Sequence, residues 1–200
     1  MNYLAHLYLS GESDELLLGN FIGDYVKGQQ YLRFSDEVQR GVLLHRAIDS
    51  FTDNHPLVKD AGQFFRPYYG RYSGIVTDVI FDHFLARYWL DYCPHTLRQF
   101  SKHVHAVLLS NFFQLPIRVK GFLPFLIQHK RLESYARIDG IQTSLHIMAH
   151  RTSLPDQTEN AINVLETNFS ELKDLFDHFF ADLVKHSEES FKVEILKAAK

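Results

Sequence analysis

The chain has 200 residues, 46% hydrophobic and 22% charged, which is typical of a globular domain and excludes a disordered, collagen-like or low-complexity chain. A single cysteine, Cys93, excludes a disulfide framework and a cysteine-ligated zinc finger. Any metal site must therefore use carboxylates and imidazoles, and the chain has 12 histidines. The net charge of −3 is unlike that of a general nucleic-acid binder. No apolar run approaches the roughly 20 residues that span a bilayer, and the N-terminus lacks the pattern of a secretory signal. We therefore expect a cytoplasmic protein that binds neither nucleic acid nor membrane.

Hydrophobic periodicity predicts helices throughout, and no pair of alternating segments joined by a hairpin dipeptide interrupts them. In chain order the predicted helices cover residues 2–9, 13–28, 35–54, 56–65, 73–92, 96–113, 119–129, 138–151 and 158–187. Ser13 and Gly28 suit the two ends of the second helix, and Pro56 suits the first position of the fourth. The prediction is a single all-α domain over residues 1–200, a multi-helix bundle with acidic C-terminal helices at 154–200.

Polar residues recur four positions apart on the helices that we expect to be most buried. These pairs are Asn20 and Asp24, His45 and Asp49, and Asp78 and Asp82, with His83 directly after Asp82. Side chains four apart share a helix face, so each helix can direct two ligands into one interior space, as in di-metal carboxylate bundles. His6, in the first apolar segment, and Asp53, one turn after Asp49, belong to the same set.

Each pair also has a structural explanation, because a polar residue beside an apolar face is usually a satisfied core or capping group. Asp53 precedes Pro56 and could cap the next helix, while Asp78 lies near a helix start, where a carboxylate complements the helix dipole. Buried carboxylates are rarely unpaired, however, and the nearby counter-charges are few: Lys27, Arg46 and Arg87. A divalent cation is the simplest way to reconcile several carboxylates and imidazoles in one core.

Five motifs in order resemble the acyl-carrier-protein phosphodiesterase (or hydrolase) family, a divergent relative of the HD-domain metal phosphohydrolases. They are Asn2-x-Leu4-Ala5-His6, Gly19-Asn20-x-x-x-Asp24, His45-Arg46-x-Ile48-Asp49-x-x-Thr52-Asp53, Asp82-His83-Phe84-Leu85 and Met148-x-x-Arg151. They span residues 1–151, the motif-bearing core. The resemblance implies an HD-domain-like fold and hydrolysis of the phosphodiester that joins 4′-phosphopantetheine to a serine of holo-acyl carrier protein. It also implies a divalent ion, with manganese expected and magnesium or iron(II) as alternatives.

The resemblance carries expected roles for the motif residues. We expect His45, Asp49, Asp82 and His83 to be metal ligands or their immediate neighbours. Asp24 would be a further ligand or the base that orients the attacking water, and His6 and Asn20 would be supporting ligands or donors. Arg46 and Arg151 would hold phosphate oxygens. Asp53 and Asp78 rank below these.

The implied substrate protein is acidic, which favours a basic docking rim beside the metal pocket. The densest candidates are Arg118, Lys120, Lys130 and Arg131, with the acidic stretch 154–200 elsewhere. Two other functions stay open. One is an HD-like phosphohydrolase of a nucleotide or other small phosphodiester, and the other is a non-catalytic helical protein that binds an acidic partner.

Overall fold

The structure is a computed structural model, and it describes residues 3–198. Within that range it contains helices and no strand, which confirms the all-α prediction. The α-helices are α1 (Tyr3–Tyr8), α2 (Asp14–Ile22), α3 (Asp36–Asn54), α4 (Pro56–Tyr69), α5 (Ser73–Arg87), α6 (Trp89–Tyr92), α7 (Leu97–Ser110), α8 (Ile117–Gln128), α9 (Arg131–Ser134), α10 (Ile138–Arg151), α11 (Thr158–Thr167) and α12 (Phe169–Phe191). Short 3-10 turns lie at Gly23–Tyr25, Gln30–Arg33, Gly70–Tyr72 and Phe112–Gln114. The relation to the HD-domain fold stays a prediction.

Several helix ends differ from the predicted ones. The helix predicted for residues 13–28 ends at Ile22, and Asp24 lies in the 3-10 turn that follows. The helix predicted for 158–187 is interrupted at Asn168, whose side-chain amide donates to the carbonyl of Val164 at 2.9 Å. Helix α4 includes Pro67 and ends at Tyr69, four residues beyond the predicted end. The predicted start at Asn2 lies outside the described residues.

Helices α2 and α3 pack backbone against backbone through two glycines. A Cβ on Gly19 would lie 2.1 Å from the carbonyl oxygen of Val38, and one on Gly41 would lie 2.3 Å from that of Leu16. Any larger residue would force the helices apart. This close approach places Asn20 and the turn containing Asp24 beside the His45–Asp49 face of α3.

Helix α1 has only six residues and cannot be stable alone. The fully buried carboxylate of Asp82, on α5, accepts hydrogen bonds from the backbone N–H groups of Leu4 at 2.8 Å and Ala5 at 3.2 Å. Two of the N–H groups that have no partner within α1 are thereby satisfied. Asp82 thus fixes α1, and with it the direction of the buried His6.

The core lies around α5, which is buried on almost every side, as apolar residues on all sides of this helix predict. Helix α12 packs against α3, α4 and α5, and Phe176, Phe179 and Phe180 insert between aromatic rings of the core. The C-terminal helices therefore share the core with the motif-bearing helices. Among residues 3–198, no helix is both long and apolar enough to cross a membrane. A cytoplasmic location stays a prediction.

Candidate metal centre and cavity

Two histidines and two aspartates converge where α1, α2 and α3 meet, and we call His6, Asp24, His45 and Asp49 the histidine–aspartate cluster. The donor atoms of His6, His45 and Asp49 all lie within 4.8 Å of one another. Nε2 of His6 is 3.1 Å from Asp49 Oδ1, and Nε2 of His45 is 3.2 Å from Asp49 Oδ2 and 3.3 Å from Asp24 Oδ1. The two imidazole rings stack, with centroids 4.1 Å apart.

Hydrogen bonds around Asn20 define which nitrogen of His6 carries the proton. The Asn20 amide nitrogen donates to the carbonyl of His6 at 2.7 Å and to the hydroxyl of Ser10 at 3.0 Å, while that hydroxyl donates to the His6 carbonyl at 2.9 Å. Since Nδ2 of Asn20 must face these acceptors, its Oδ1 faces His6 and accepts from Nδ1–H at 2.9 Å. Nε2 of His6 therefore carries a lone pair directed toward Asp49.

The two carboxylates of the cluster favour a positive charge on His45 and not on His6. Burial lowers the pKa of His6 to about 4, so its ring is neutral near pH 7. Burial also opposes protonation of His45, but contact with Asp24 and Asp49 outweighs it and raises the pKa of His45 to about 9. His45 in turn lowers the pKa of Asp24, and contacts with both imidazoles overcome burial and lower that of Asp49.

The geometry fits a shared cation better than hydrogen bonding. An unprotonated nitrogen of His6 and a carboxylate oxygen of Asp49, both acceptors, are 3.1 Å apart. Neither buried ring nitrogen of His45 makes a hydrogen bond to the described residues, despite the nearby carboxylates. Two ligand atoms at right angles around an ion, each about 2.2 Å from it, are about 3.1 Å apart. The observed 3.1–3.3 Å separations match this spacing.

Glycine again makes room for the cluster at the end of α2. A Cβ on Gly23 would lie 2.3 to 2.6 Å from the atoms of the His45 side chain. Gly23 therefore lets the turn containing Asp24 pass directly over the imidazole ring.

The cluster opens into a cavity of about 420 Å³. Its polar lining includes His6, Asn20, Asp24 and His45 from the cluster side, and Arg131, Ser144 and Arg151 from α9 and α10. Its walls are aromatic: Tyr3, Phe21, Tyr25, Phe122, Phe125 and Tyr135. A mostly apolar cavity with a few convergent polar groups is typical of a small-molecule or cofactor-arm site.

The structure does not bring every predicted site residue into the cluster. Asp82 holds the N-terminus of α1, as described above, and burial raises its pKa to about 7. His83 contacts the carbonyl of Tyr135 through Nδ1 at 2.7 Å. Nε2 of His83 is buried without a hydrogen-bond partner among residues 3–198. Both residues therefore contact elements that line the site, α1 and Tyr135, and they lie outside the group of potential ligands.

Arg46, expected to hold phosphate, instead holds a loop. Its guanidinium donates to the carbonyls of Val26 at 2.9 Å and Gly28 at 2.8 Å and lies over the ring of Tyr31. It is absent from the cavity lining, whereas Arg151 is part of it. Of the lower-ranked candidates, Asp53 is exposed and makes no capping bond to α4, and Asp78 is partly buried on α5.

One of the four residues predicted to form the basic rim, Arg131, lies inside the cavity and not on the surface. Arg118 and Lys130 are exposed, but Arg131 is only 7% exposed and lines the cavity. Lys130 adopts a left-handed conformation, with φ of 46°, immediately before the short helix α9, and this reversal places the next side chain inside. Sequence reasoning missed Arg131 and Ser144 as cavity residues, because a run of basic residues has the same pattern whether a side chain points inward or outward.

Among residues 3–198, an all-helical fold places an imidazole–carboxylate cluster at the base of an aromatic cavity, and these features define its class, a helical protein with a candidate metal centre. Within this class the chain belongs to the acyl carrier protein phosphodiesterase family, whose model matches residues 1–183. Similar proteins named acyl carrier protein phosphodiesterase include one from Yersinia pestis, 34% identical over 94% of this chain and 98% of its own length. Another, from Enterobacter, is 35% identical over 90% of this chain and 94% of its own. No solved structure matches the chain.

Proposed function

We propose that this protein is a divalent-metal-dependent phosphodiesterase that releases 4′-phosphopantetheine from holo-acyl carrier protein and leaves the apo-protein. Family membership and the names of the similar proteins support the reaction. One observation supports the metal: the bare Nε2 of His6 faces Asp49 Oδ1 at 3.1 Å, an arrangement that a cation between the two stabilises.

His6, His45 and Asp49 would hold the ion, with Asp24 beside them. Two imidazoles with carboxylate oxygens suit manganese, magnesium or iron(II) better than a thiolate-binding metal, and we favour manganese. A bound divalent ion lowers the pKa of a coordinated water and polarises a phosphoryl oxygen. Asn20 is a positioning residue, because its Oδ1 selects the His6 tautomer that presents Nε2 to the ion.

The two aspartates have different surroundings, and this separates their proposed roles. The Asp24 side chain is 61% exposed and lines the cavity, whereas that of Asp49 is 42% exposed and does not. The contact with His45 lowers the pKa of Asp24 from its ordinary value, so its carboxylate is ionised throughout the neutral range. We assign Asp24 to orienting the attacking water and accepting its proton, and Asp49 to holding both histidines.

Of the remaining motif residues, one would bind the phosphate and the others would position the elements that line the site. Arg151, on the cavity-lining part of α10, would contact a phosphate oxygen. Asp82 and His83 would position α1 and Tyr135, and Arg46 would position the loop after Asp24. The aromatic walls would take the pantetheine arm, which is uncharged beyond its phosphate.

The decisive experiment is incubation of holo-acyl carrier protein with the purified protein and Mn²⁺, followed by intact-mass measurement of the carrier. We expect loss of the phosphopantetheine mass with the wild type, and not with Asp24→Ala or after chelation of the metal. Asp60→Ala, an exposed aspartate on α4 that belongs to none of the five motifs, is the matched control and should retain activity. An unchanged carrier with every divalent ion would overturn the proposal. Hydrolysis of coenzyme A or cyclic nucleotides alone would favour the small-phosphodiester alternative.

A further inference from the structure

Arg131 is a buried cation, and the function proposed above assigns it no role. It is the first residue of α9 and only 7% exposed, and it lines the same cavity as His6, Asp24 and His45. Charged side chains at this depth are almost always paired or bound to a ligand. We therefore expect Arg131 to bind an anion.

One edge of the guanidinium is held in place by neutral groups. Nη2 donates to the hydroxyl of Ser144, and that hydroxyl donates to the carbonyl of Gly140 at 2.8 Å, so its lone pair is available to Arg131. The guanidinium carbon lies 5.6 Å from the centroid of the Phe125 ring. These contacts orient the side chain, but they leave its charge uncompensated.

No described residue supplies a counter-ion. Within residues 3–198, no carboxylate oxygen lies within 4 Å of the Arg131 guanidinium. The contrast with Arg137, six positions along, is direct: that exposed arginine makes two 2.9 Å bonds to the carboxylate of Asp139. A guanidinium has five N–H donors in a planar fork that suits the paired oxygens of a phosphate.

We propose that Arg131 binds the non-bridging oxygens of a phosphoryl group in the cavity, a role that rests on the proposed function for its substrate. In that reaction water oxygen bonds to phosphorus, and one proton of the water passes to Asp24. The bond from phosphorus to the serine oxygen breaks, and that oxygen keeps the electron pair and takes up a proton from solvent, while Asp24 returns its proton to solvent. The phosphodiester carries one negative charge, and the phosphomonoester product carries up to two, so Arg131 stabilises the anion throughout.

The test uses the full-length, Mn²⁺-loaded protein, with inorganic phosphate as the probe and calorimetry as the readout. We expect Arg131→Gln to weaken phosphate binding at least tenfold and to lower kcat/KM for holo-acyl carrier protein about a hundredfold, with Mn²⁺ affinity unchanged. Arg131→Lys, which keeps the charge and loses the fork, should lie between this variant and the wild type. Arg137→Gln should match the wild type in all three measurements.

Two results would overturn the proposal. One is unchanged phosphate affinity in a natively melting Arg131→Gln variant, which would reduce Arg131 to a structural contact of Ser144. The other, if the glutamine variant does not fold, is wild-type phosphate affinity in Arg131→Lys. If the wild type binds phosphate through Arg131 but leaves holo-acyl carrier protein intact, the proposed function fails and the anion site stands.

Discussion

Alanine substitutions of Gly41 and Gly121 should change stability in opposite directions, although both glycines lie inside helices. A Cβ on Gly41 would be 2.3 Å from the backbone oxygen of Leu16 and 2.9 Å from the backbone nitrogen of Asn20. A Cβ on Gly121, in α8, would meet nothing within 4 Å. The first change therefore tests the contact between α2 and α3, and the second measures helix propensity alone.

The expected magnitudes follow from these distances. Ordinary van der Waals contact begins near 3.4 Å, so the Gly41→Ala substitution requires α2 and α3 to separate by about 1 Å. Overpacking against rigid backbone costs about 3 kcal/mol, and the better helix propensity of alanine recovers about 1 kcal/mol. We expect a net loss of about 2 kcal/mol, or roughly 4–8 °C in Tm, for Gly41→Ala. For Gly121→Ala we expect a gain of about 1 kcal/mol, or roughly 2–4 °C.

Thermal unfolding followed by circular dichroism measures both changes, and calorimetric Mn²⁺ titration measures their effect on the cluster. Separation of α2 from α3 shifts Asn20 relative to His45, so Gly41→Ala should also weaken Mn²⁺ binding about tenfold. Gly121→Ala should leave that affinity unchanged. A Gly41→Ala variant that melts at or above the wild-type temperature would refute the inferred backbone contact.

Three further predictions concern the cluster and its substrate. Asn20→Leu removes the acceptor of His6 Nδ1–H and should weaken Mn²⁺ binding by about 10–100-fold in calorimetric titration, whereas Asn20→Asp, which keeps an acceptor, should lose less. Mn²⁺ binding at pH 7.5 should release about one proton. His45, with a pKa of about 9, is protonated before the ion binds, whereas His6, with a pKa of about 4, is not. Because the ion competes with this proton, Mn²⁺ affinity should rise as pH rises toward 9. Calorimetry in buffers of different ionisation enthalpy counts the protons, and a count of zero or two would contradict these charge states. Because the proposed substrate is acidic, kcat/KM for holo-acyl carrier protein should fall as the salt concentration rises. Replacing the exposed Lys130 in Lys130→Glu should reduce both kcat/KM and its salt dependence. A kcat/KM that does not change with salt would argue against docking on a basic surface.

Local patterns predicted the parts of the site that one helix determines. His45 and Asp49 are four apart on α3, and their spacing is enough to place both on one face. The same reasoning joined Asn20 to Asp24, although α2 ends between them and Asp24 reaches His45 from a 3-10 turn. Asp24 still lies on the same side as Asn20, because the 3-10 turn follows directly on α2 and Gly23 keeps a right-handed helical backbone.

Residues whose roles depend on how helices pack were harder to predict. Asp82 has the same spacing pattern as a ligand, yet its oxygens accept from the backbone of α1, a contact that no local pattern indicates. Arg131 follows an exposed lysine in a basic run, and only the left-handed backbone of Lys130 directs it inward. For such residues the direction of a side chain is decided by tertiary contacts and not by periodicity.

The hydrogen bond that the backbone N–H of Leu4 donates to Asp82 joins positions 78 apart in the chain, and this separation has a consequence for biosynthesis. All four residues of the histidine–aspartate cluster leave the ribosome within the first 49 positions, but the short helix that carries His6 cannot be anchored until α5 has followed. The first 49 residues therefore contain all four side chains of the histidine–aspartate cluster, but they lack the α5 contact that holds α1 in place. The proposed metal site is therefore completed late in folding, by the assembled helical core and not by an N-terminal peptide.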